Sequence, residues 1–239
     1  MSWTHELAPG GTLRVCINTG NALLAQQDPH THELQGISVM LAKRLAHTHN
    51  LQLHTVLVGT AKASVAAVAN KEADIGFFAI DPERARDVHF TRAYVYIDAC
   101  YMTRKSSDLR SLQDIDQAGV RIVVGAGSAY DLFLSRHVQH ASLIRASSTP
   151  EVIPLFADQG YEVAAGLQQA LNEAVQAHPE WAVVMPPFMA IPQAMGCHPD
   201  HSETIKEGLQ AFLDDQLKAG HVADSIAQQS LTGVRAASL

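Results

Sequence analysis

The sequence predicts an α/β fold of two similar units, each a mixed, mostly parallel sheet flanked by helices. Apolar segments with the two-residue period of strands alternate with segments that have helical spacing. The alternation begins near Leu13, reaches a strand at 74–79, and starts again at 120–125. A repeated strand–helix–strand order is typical of parallel sheets covered by helices. Hydrophobic residues make up 47% of the 239 residues, which is enough to form a packed core.

The first unit is predicted to follow a β-α-β-α-β order. Its strands are expected at 13–18, 51–58 and 74–79. The first helix is expected to begin with Ser38 as its N-cap, because a Ser hydroxyl can accept a hydrogen bond from the first turn. The second is a helix of small residues at 61–70.

The second unit repeats this pattern. Strands are expected at 120–125, 142–145, 161–165 and 181–185, and helices at 129–137, from Pro150 onwards and at 167–177. The pattern is helical again from 204, with a break at Gly220.

These patterns predict how the chain is shared between two lobes. Lobe 1 is expected to contain residues 1–96 and 190–239, and lobe 2 residues 101–186. The chain would then cross at 97–100 and at 187–189. Two crossings make a hinge, and a ligand cleft is expected where two lobes meet.

Charge and composition exclude several classes of protein. The net charge is −7 with neutral histidines and no basic stripe is present, so a nucleic-acid partner is not expected. No apolar run approaches the length of about 18 residues that a transmembrane helix needs. The first residues lack the basic and apolar regions of a signal peptide, so the chain as written is expected in the cytoplasm, or in the periplasm if a signal has been removed. We expect a monomer.

The segment 74–96 contains the strongest indication of a binding site. The strand at 74–79 is interrupted by Asp81 and Pro82, and Arg84 follows within one turn. A guanidinium group presents a rigid fork of donors that matches a carboxylate. An exposed Arg84 at the start of a helix fits the same local pattern, because most arginines lie at the surface.

Five segments in this order resemble the family 3 solute-binding proteins of ABC importers, of the polar-amino-acid type. They read LRVCINTGN, ELQGISVMLAKRLA, NKEADIGFFAIDPER, VHFTRAYV and VRIVVGAGSAYDLFL. The resemblance covers nearly the whole chain from Leu13. It implies a two-lobed, periplasmic-binding-protein-like fold that closes over a small ligand, commonly an amino acid, and an ABC permease as a further partner.

The resemblance also implies the ligand-binding residues. Arg84 stands where the family has its carboxylate-binding Arg. The other implied positions lie at the first strand end, before Arg84, and at two strand ends of lobe 2: Asn18, Asn21, Ala79, Gly127, Ser128, Ala129 and Gln168. Phe78 and Tyr130 are the expected aromatic walls, with Phe188, Met189 and Gln193 as further contacts.

One position departs from the pattern of amino-acid binders. Where these proteins typically have an Asp that pairs with the ligand ammonium group, the sequence reads Gly166-Leu167-Gln168. A desolvated ammonium group without a counter-ion would cost several kcal/mol. Asp131 and Asp98 are alternative sources of the missing negative charge, although neither stands at the family's position. A carboxylate ligand is therefore expected, either an amino acid or a hydroxy, keto or nitrogen-heterocyclic acid.

Parts of the sequence are also compatible with three other functions. Among 13 histidines, the Cys197–His201 segment is the best metal candidate, but its spacing is not that of a structural site, and no metal or cofactor is expected. A dehydratase on the same fold would need an acid or base, for which Asp131, Glu83 and Glu162 are the candidates; we expect no enzyme activity. A cytosolic sensor without a permease remains an alternative.

Overall fold

The structure, a computed structural model, describes residues 2–239. Its internal contacts divide the chain into two units. Unit 1 contains the residues up to Tyr96, Pro192–Ser230 and Arg235–Leu239, and unit 2 contains Ile97–Ile191 and Leu231–Val234. Among the described residues, no helix combines the length and the apolar composition that a bilayer-spanning segment requires.

Unit 1 begins with nine short elements. In chain order they are α1 (Trp3–Leu7), β1 (Thr12–Asn18), β2 (Gln26–Gln27), β3 (Leu34–Gln35), α2 (Ile37–Thr48), β4 (Gln52–Val58), α3 (Ala61–Ala69), β5 (Ile75–Ala79) and a 3-10 helix (Arg84–Arg86). The long strand β6 (His89–Arg104) then begins in unit 1 and ends in unit 2.

Unit 2 continues with α4 (Leu112–Ile115), β7 (Arg121–Gly125), α5 (Ala129–His137), β8 (Ser142–Ala146), α6 (Val152–Gln159), β9 (Val163–Leu167) and α7 (Gln168–Ala177). A second long strand, β10 (Trp181–Cys197), begins in unit 2 and ends in unit 1. The chain finishes with α8 (Glu203–Lys218), α9 (His221–Gln228) and β11 (Val234–Ala236).

The sheet of unit 1 is mixed and mostly parallel, as expected. Strand β1 pairs in parallel with β4 along its whole length and with β5. The end of β10 adds an antiparallel neighbour to β5, with Gln193 opposite Ala79. Because β1 and β5 run in the same direction, the loops that follow them leave the same edge of the sheet.

Unit 2 has the same design. Strand β7 pairs in parallel with β8 and with β9, and β9 pairs antiparallel with β6. The residues of β9 are all buried, as is typical of strands with both faces covered. Phe156 is 0% exposed and makes an edge-to-face contact with Trp181, with ring centroids 5.3 Å apart, in the centre of this core.

The start of α2 differs from the prediction. Gly36, with φ of +120°, occupies the N-cap position, and Ser38 lies inside the helix. The Ser38 side chain is buried, and its Oγ lies 3.1 Å from the Tyr94 hydroxyl oxygen. The prediction that Ser38 is the N-cap was therefore wrong, because its hydroxyl group is hydrogen-bonded to Tyr94 on a distant strand and not to its own helix.

The three cysteines are free and buried. Cys16 and Cys197 belong to unit 1, and Cys100 belongs to unit 2. Burial raises the pKa of Cys100 to about 12 and that of Cys197 to about 11, and it also raises the pKa of Cys16. All three thiols are therefore protonated at neutral pH.

Candidate ligand-binding site

Arg84 lies in a tight turn at the carboxyl end of β5. The Asp81 side chain accepts a hydrogen bond from the Glu83 N–H at 2.9 Å, and its backbone oxygen accepts one from the Ala85 N–H at 3.0 Å. These two bonds fix the chain where it enters the 3-10 helix that begins at Arg84. The Asp-Pro sequence therefore ends the strand and fixes the position of the arginine.

The Arg84 side chain is buried, with only 7% of the residue exposed. Its Nη1 donates a hydrogen bond to the Ala79 backbone oxygen at 3.2 Å, so the guanidinium group lies against the end of β5. Burial lowers the pKa of Arg84, while the negative charges of Asp81 and Glu83 act in the opposite direction. A desolvated cation of this kind is stabilised by an added anion.

The loop after β1 leaves the same edge of the unit 1 sheet. Asn18 and Asn21 are half-buried there. The Asn18 Oδ1 accepts a hydrogen bond from the Gly20 N–H at 2.9 Å, and the Asn21 Oδ1 accepts one from the Leu23 N–H at 3.3 Å. Both side-chain oxygens therefore stabilise the loop by accepting its own N–H groups. The two amide NH₂ groups are the donors that these side chains can offer to a ligand.

The remaining sequence-predicted residues of unit 1 are buried. Ala79 is 4% exposed and Phe78 is 3% exposed. The structure places the Phe78 ring in a core cluster, 6.0 Å from the ring centroid of Phe90. Gln193, also buried, lies opposite Ala79 in the strand pairing. Ala79, Arg84, Asn18 and Gln193 thus come together at one edge of the unit 1 sheet.

In unit 2, the turn after β7 and the first two residues of α5 contain four of the predicted residues, namely Gly127, Ser128, Ala129 and Tyr130. Ser128 is the N-cap of α5, and its Oγ accepts a hydrogen bond from the Asp131 N–H at 3.1 Å. The Ser128 N–H donates to the Gly125 oxygen at 3.0 Å. Gly127 has φ of +69°, a conformation that favours glycine. Ala129 is the first residue of the helix.

Asp131 is hydrogen-bonded to both Gly127 and Ser128 in this turn. It is 3% exposed, and its Oδ2 accepts the Gly127 N–H at 2.8 Å. Its Oδ1 lies 3.1 Å from Arg145 Nε. The Gly127 N–H, which the resemblance assigns to the ligand, is thus already bonded to this carboxylate. The sequence analysis named Asp131 as a candidate acid or base and as an alternative counter-ion, and its four-residue spacing from Gly127 was the signal for this bond.

The Tyr130 side chain is turned into the interior of unit 2, with 2% of the residue exposed. Its hydroxyl oxygen is buried without a hydrogen-bond partner of suitable geometry among the described residues. Burial raises the pKa of Tyr130, and the nearby hydroxyl groups of Thr149 and Ser128 act in the opposite direction.

Gln168 lies at the carboxyl end of β9, as the first residue of α7. Because β9 is parallel to β7, Gln168 and the Gly127–Tyr130 turn lie at the same edge of the unit 2 sheet. Its side chain packs against Gly233, a residue that sequence reasoning did not select. Phe188, in the same unit, stacks on Tyr101 with ring centroids 4.2 Å apart.

The three carboxylates considered for acid–base chemistry have different surroundings. Asp131 is paired with Arg145, and Glu83 is exposed. Glu162 accepts two hydrogen bonds from the Arg121 side chain, at 2.6 and 2.8 Å. These bonds lower the pKa of Glu162, whereas a general acid working near neutral pH needs a raised one.

The histidine pairs do not form a metal site in the part of the chain that the structure describes. No group of three or more His, Cys, Asp or Glu side chains comes together there. In the Cys197–His201 segment, Cys197 is buried and the rings of His198 and His201 are 6.4 Å apart. His198 Nδ1 accepts a hydrogen bond from the Asp200 N–H at 3.1 Å, a local turn contact.

Two α/β units that each gather polar groups at the carboxyl ends of parallel strands define a small-ligand-binding protein of the periplasmic-binding-protein fold. A comparison with protein-family models leads to the same class of protein. The family model of bacterial extracellular solute-binding proteins, family 3, matches residues 13–228, and the chain belongs to this family. A search of curated protein sequences found no match.

Solved structures confirm the fold. An amino acid ABC transporter substrate-binding protein from Streptococcus pneumoniae, bound to L-arginine, matches with a TM-score of 0.78 at 19% identity, covering 94% of this chain and 96% of that one. An ancestral amino acid-binding protein, a precursor of cyclohexadienyl dehydratase, matches with a TM-score of 0.79 at 18% sequence identity, covering 95% of this chain and 99% of that one. A histidine kinase sensor domain matches with a TM-score of 0.79 at 15% sequence identity, covering 95% of this chain and 98% of that one. At these identities the similarity establishes the fold alone.

Proposed function

We propose that this solute-binding protein captures a small carboxylate-bearing ligand, either an amino acid or a related organic acid. The observation that carries the proposal is the buried guanidinium group of Arg84 at the carboxyl end of β5, in a residue only 7% exposed. Its lowered pKa reflects the cost of desolvating the charge, which a ligand carboxylate would offset. A carboxylate also matches the planar fork of the guanidinium donors.

The second set of contacts comes from unit 2. The start of α5, with Ser128 and Ala129, has the partial positive charge of a helix N-terminus. Asp131 already accepts the Gly127 N–H, so Ser128, Ala129 and Gln168 are the better candidates for polar contact with the ligand. A ligand held by groups of both units would favour a closed state over an open one, which is the proposed mechanism of capture.

The charges near the proposed contacts of unit 2 support a proposal about the chemical class of the ligand. Gln168 is neutral, and the buried Asp131 is paired with Arg145. Neither supplies an uncompensated negative charge for an α-ammonium group. We therefore expect acids with a hydroxy, oxo or ring-nitrogen group to bind at least as well as the corresponding amino acids.

Delivery of the ligand to an ABC permease is the proposed cellular role, with ligand sensing as the alternative. Proteins of this fold include a transporter component and a sensor domain, so the fold does not separate the two. A dehydratase activity is not proposed, because the lowered pKa of Glu162 and the ion pair of Asp131 do not suit general acid catalysis.

The test is a thermal-shift screen with matched acids, namely L-alanine, L-lactate and pyruvate, and L-phenylalanine, phenyllactate and phenylpyruvate. A ligand at 100 times its Kd stabilises the folded state by about 2.7 kcal/mol. For a chain of this size that raises the midpoint by roughly 5–10 °C. The proposal fails if no carboxylate of this panel, extended to the common amino acids, raises the midpoint. Binding of amino acids with rejection of all their deaminated analogues would refute the expected ligand preference.

A further inference from the structure

A cavity of about 380 Å³ lies between α2 and α9, and all of its lining residues belong to unit 1. Met40 and Arg44 line it from α2, and His221, Asp224 and Gln229 line it from α9. Small-molecule pockets in proteins begin at about 300 Å³, so this cavity has room for a molecule the size of an amino acid. None of the residues assigned above to the carboxylate site lines it.

A buried amide group holds two of the lining side chains in place. Gln216, which is 7% exposed, lies beneath Arg44 and His221. Its Oε1 is 2.5 Å from the Arg44 Nε and 3.1 Å from the His221 Nδ1. Because an amide oxygen only accepts hydrogen bonds, both nitrogens are donors. The guanidinium group from α2 and the imidazole ring from α9 are therefore fixed by the same oxygen.

Two opposite charges line this cavity without pairing with each other. The bond to Gln216 uses only the Nε of Arg44, and the Nη groups have no further partner within residues 2–239. Asp224 lies three residues after His221 on α9, and its exposed carboxylate forms no ion pair or hydrogen bond in the described part of the chain. A molecule that carries both a negative and a positive group would satisfy both charges at once.

The rest of the lining suits a compact molecule with a small apolar part. The half-buried Met40 supplies a flexible apolar surface. The Gln229 Nε2 donates to the Ser225 backbone oxygen at 3.0 Å and to the Ser225 Oγ at 2.9 Å, so the Gln229 Oε1 remains as an acceptor. Acceptors of this kind complement an ammonium group.

We propose that the cavity between α2 and α9 is a second ligand site of this protein, and that it takes a small zwitterion of amino-acid size. Arg44 binds the carboxylate of this ligand and Asp224 its ammonium group. The inference does not rest on the proposed function, because the two sites share no residue. Either site can therefore be disproved without affecting the other.

The experiment uses three probes of similar shape. L-alanine carries both charges, propionate only the carboxylate, and ethylammonium only the ammonium group. Binding is followed by NMR through the ring signals of His221, which lines the cavity, and His221→Gln identifies these signals among those of the 13 histidines. The full chain carries Arg84→Met throughout, so that the carboxylate site contributes as little as possible.

The expected result is saturable binding of L-alanine with a Kd of about 1–10 mM, since the ligand is small and the charges are partly solvated. Propionate and ethylammonium should each bind about three- to fivefold more weakly, because each lacks one ion pair. Arg44→Met should weaken L-alanine and propionate by a similar factor and leave ethylammonium unchanged. Asp224→Asn should weaken L-alanine and ethylammonium and leave propionate unchanged.

The matched controls are Lys218→Met and Asp215→Asn, which remove exposed charges of the same unit outside the cavity. Neither should change any of the three Kd values. Melting each variant without ligand checks that the fold is kept. Asp224→Asn alters an exposed side chain, so it keeps the test decisive even if Arg44→Met loses its fold through the lost bond to Gln216.

Three results would overturn the inference. If L-alanine leaves the His221 signals unchanged at concentrations well above the millimolar range, the cavity holds no zwitterion. If propionate binds as tightly as L-alanine, the cavity is a simple anion site and Asp224 has no part in it. If the two lining variants change the Kd of L-alanine no more than their controls do, the His221 signals report binding elsewhere.

Discussion

Replacing Arg84 with Met removes the buried guanidinium group and keeps a side chain of similar length. Arg84 is 7% exposed, and its Nη1 bonds to the end of β5. Truncating one partner of a buried, hydrogen-bonded charge pair costs about 2–5 kcal/mol of binding free energy. The Kd for a carboxylate ligand should therefore rise by roughly 30-fold to a few thousand-fold.

The assay is titration calorimetry with the acid that gives the largest thermal shift in wild type. Arg86→Met is the matched control, because Arg86 lies on the same 3-10 turn but is exposed. Melting both variants without ligand separates a folding defect from lost affinity. Arg84→Lys adds a second comparison, since it keeps the charge but not the fork, and it should recover only part of the affinity.

The outcome that refutes the reasoning is a folded Arg84→Met protein with a Kd within about twofold of that of Arg86→Met, since a twofold change lies below the value of one hydrogen bond. The buried guanidinium group would then serve the packing of the β5 turn alone. The assignment of the carboxylate contact to unit 1 would have to be withdrawn.

Two further predictions concern stability. Asp131→Ala should lower the free energy of unfolding by about 2–3 kcal/mol, measured by urea denaturation, because the Gly127 N–H and the Arg145 side chain lose a buried carboxylate acceptor. An unchanged denaturation midpoint would show that this carboxylate does not stabilise the α5 turn. The pKa of Glu162 is lowered by Arg121, so its ion pair stabilises the fold above the ordinary Glu pKa of 4.5, and this contribution is lost as the pH falls through the lowered pKa. Glu162→Gln should therefore lose less stability than wild type between pH 5 and 3, and parallel curves for the two proteins would contradict the assignment.

The α/β fold could be predicted because its signals are local. Each strand of the parallel sheets is a short apolar run, and the helices between them have helical spacing, so β1, α2, β4, α3 and β5 could be located from the sequence. The turn before Arg84 could also be predicted, because Asp-Pro is a local turn signal and the Asp81 side chain accepts a hydrogen bond from the Glu83 N–H.

What the sequence did not reveal depends on partners that are distant along the chain. Ser38 looks like a helix cap until Tyr94, 56 residues away, is placed beside it. Phe78 and Tyr130 look alike as candidate aromatic walls, but the structure buries both, because strand alternation and the first turn of a helix do not show which face is covered. Gly233 lies in a short segment without periodicity, and its neighbours on β6 and α7 are set only by the folded ladder.

The three shielded sulfur atoms have a practical consequence for any study of how this molecule opens. The thiolate is the nucleophile that attacks an alkylating reagent, and burial keeps Cys16, Cys100 and Cys197 in the less reactive thiol form. Modification at Cys100 would report the loosening of unit 2, and modification at Cys16 or Cys197 that of unit 1. The native chain thus contains at least one labelling site in each unit, so no cysteine has to be introduced.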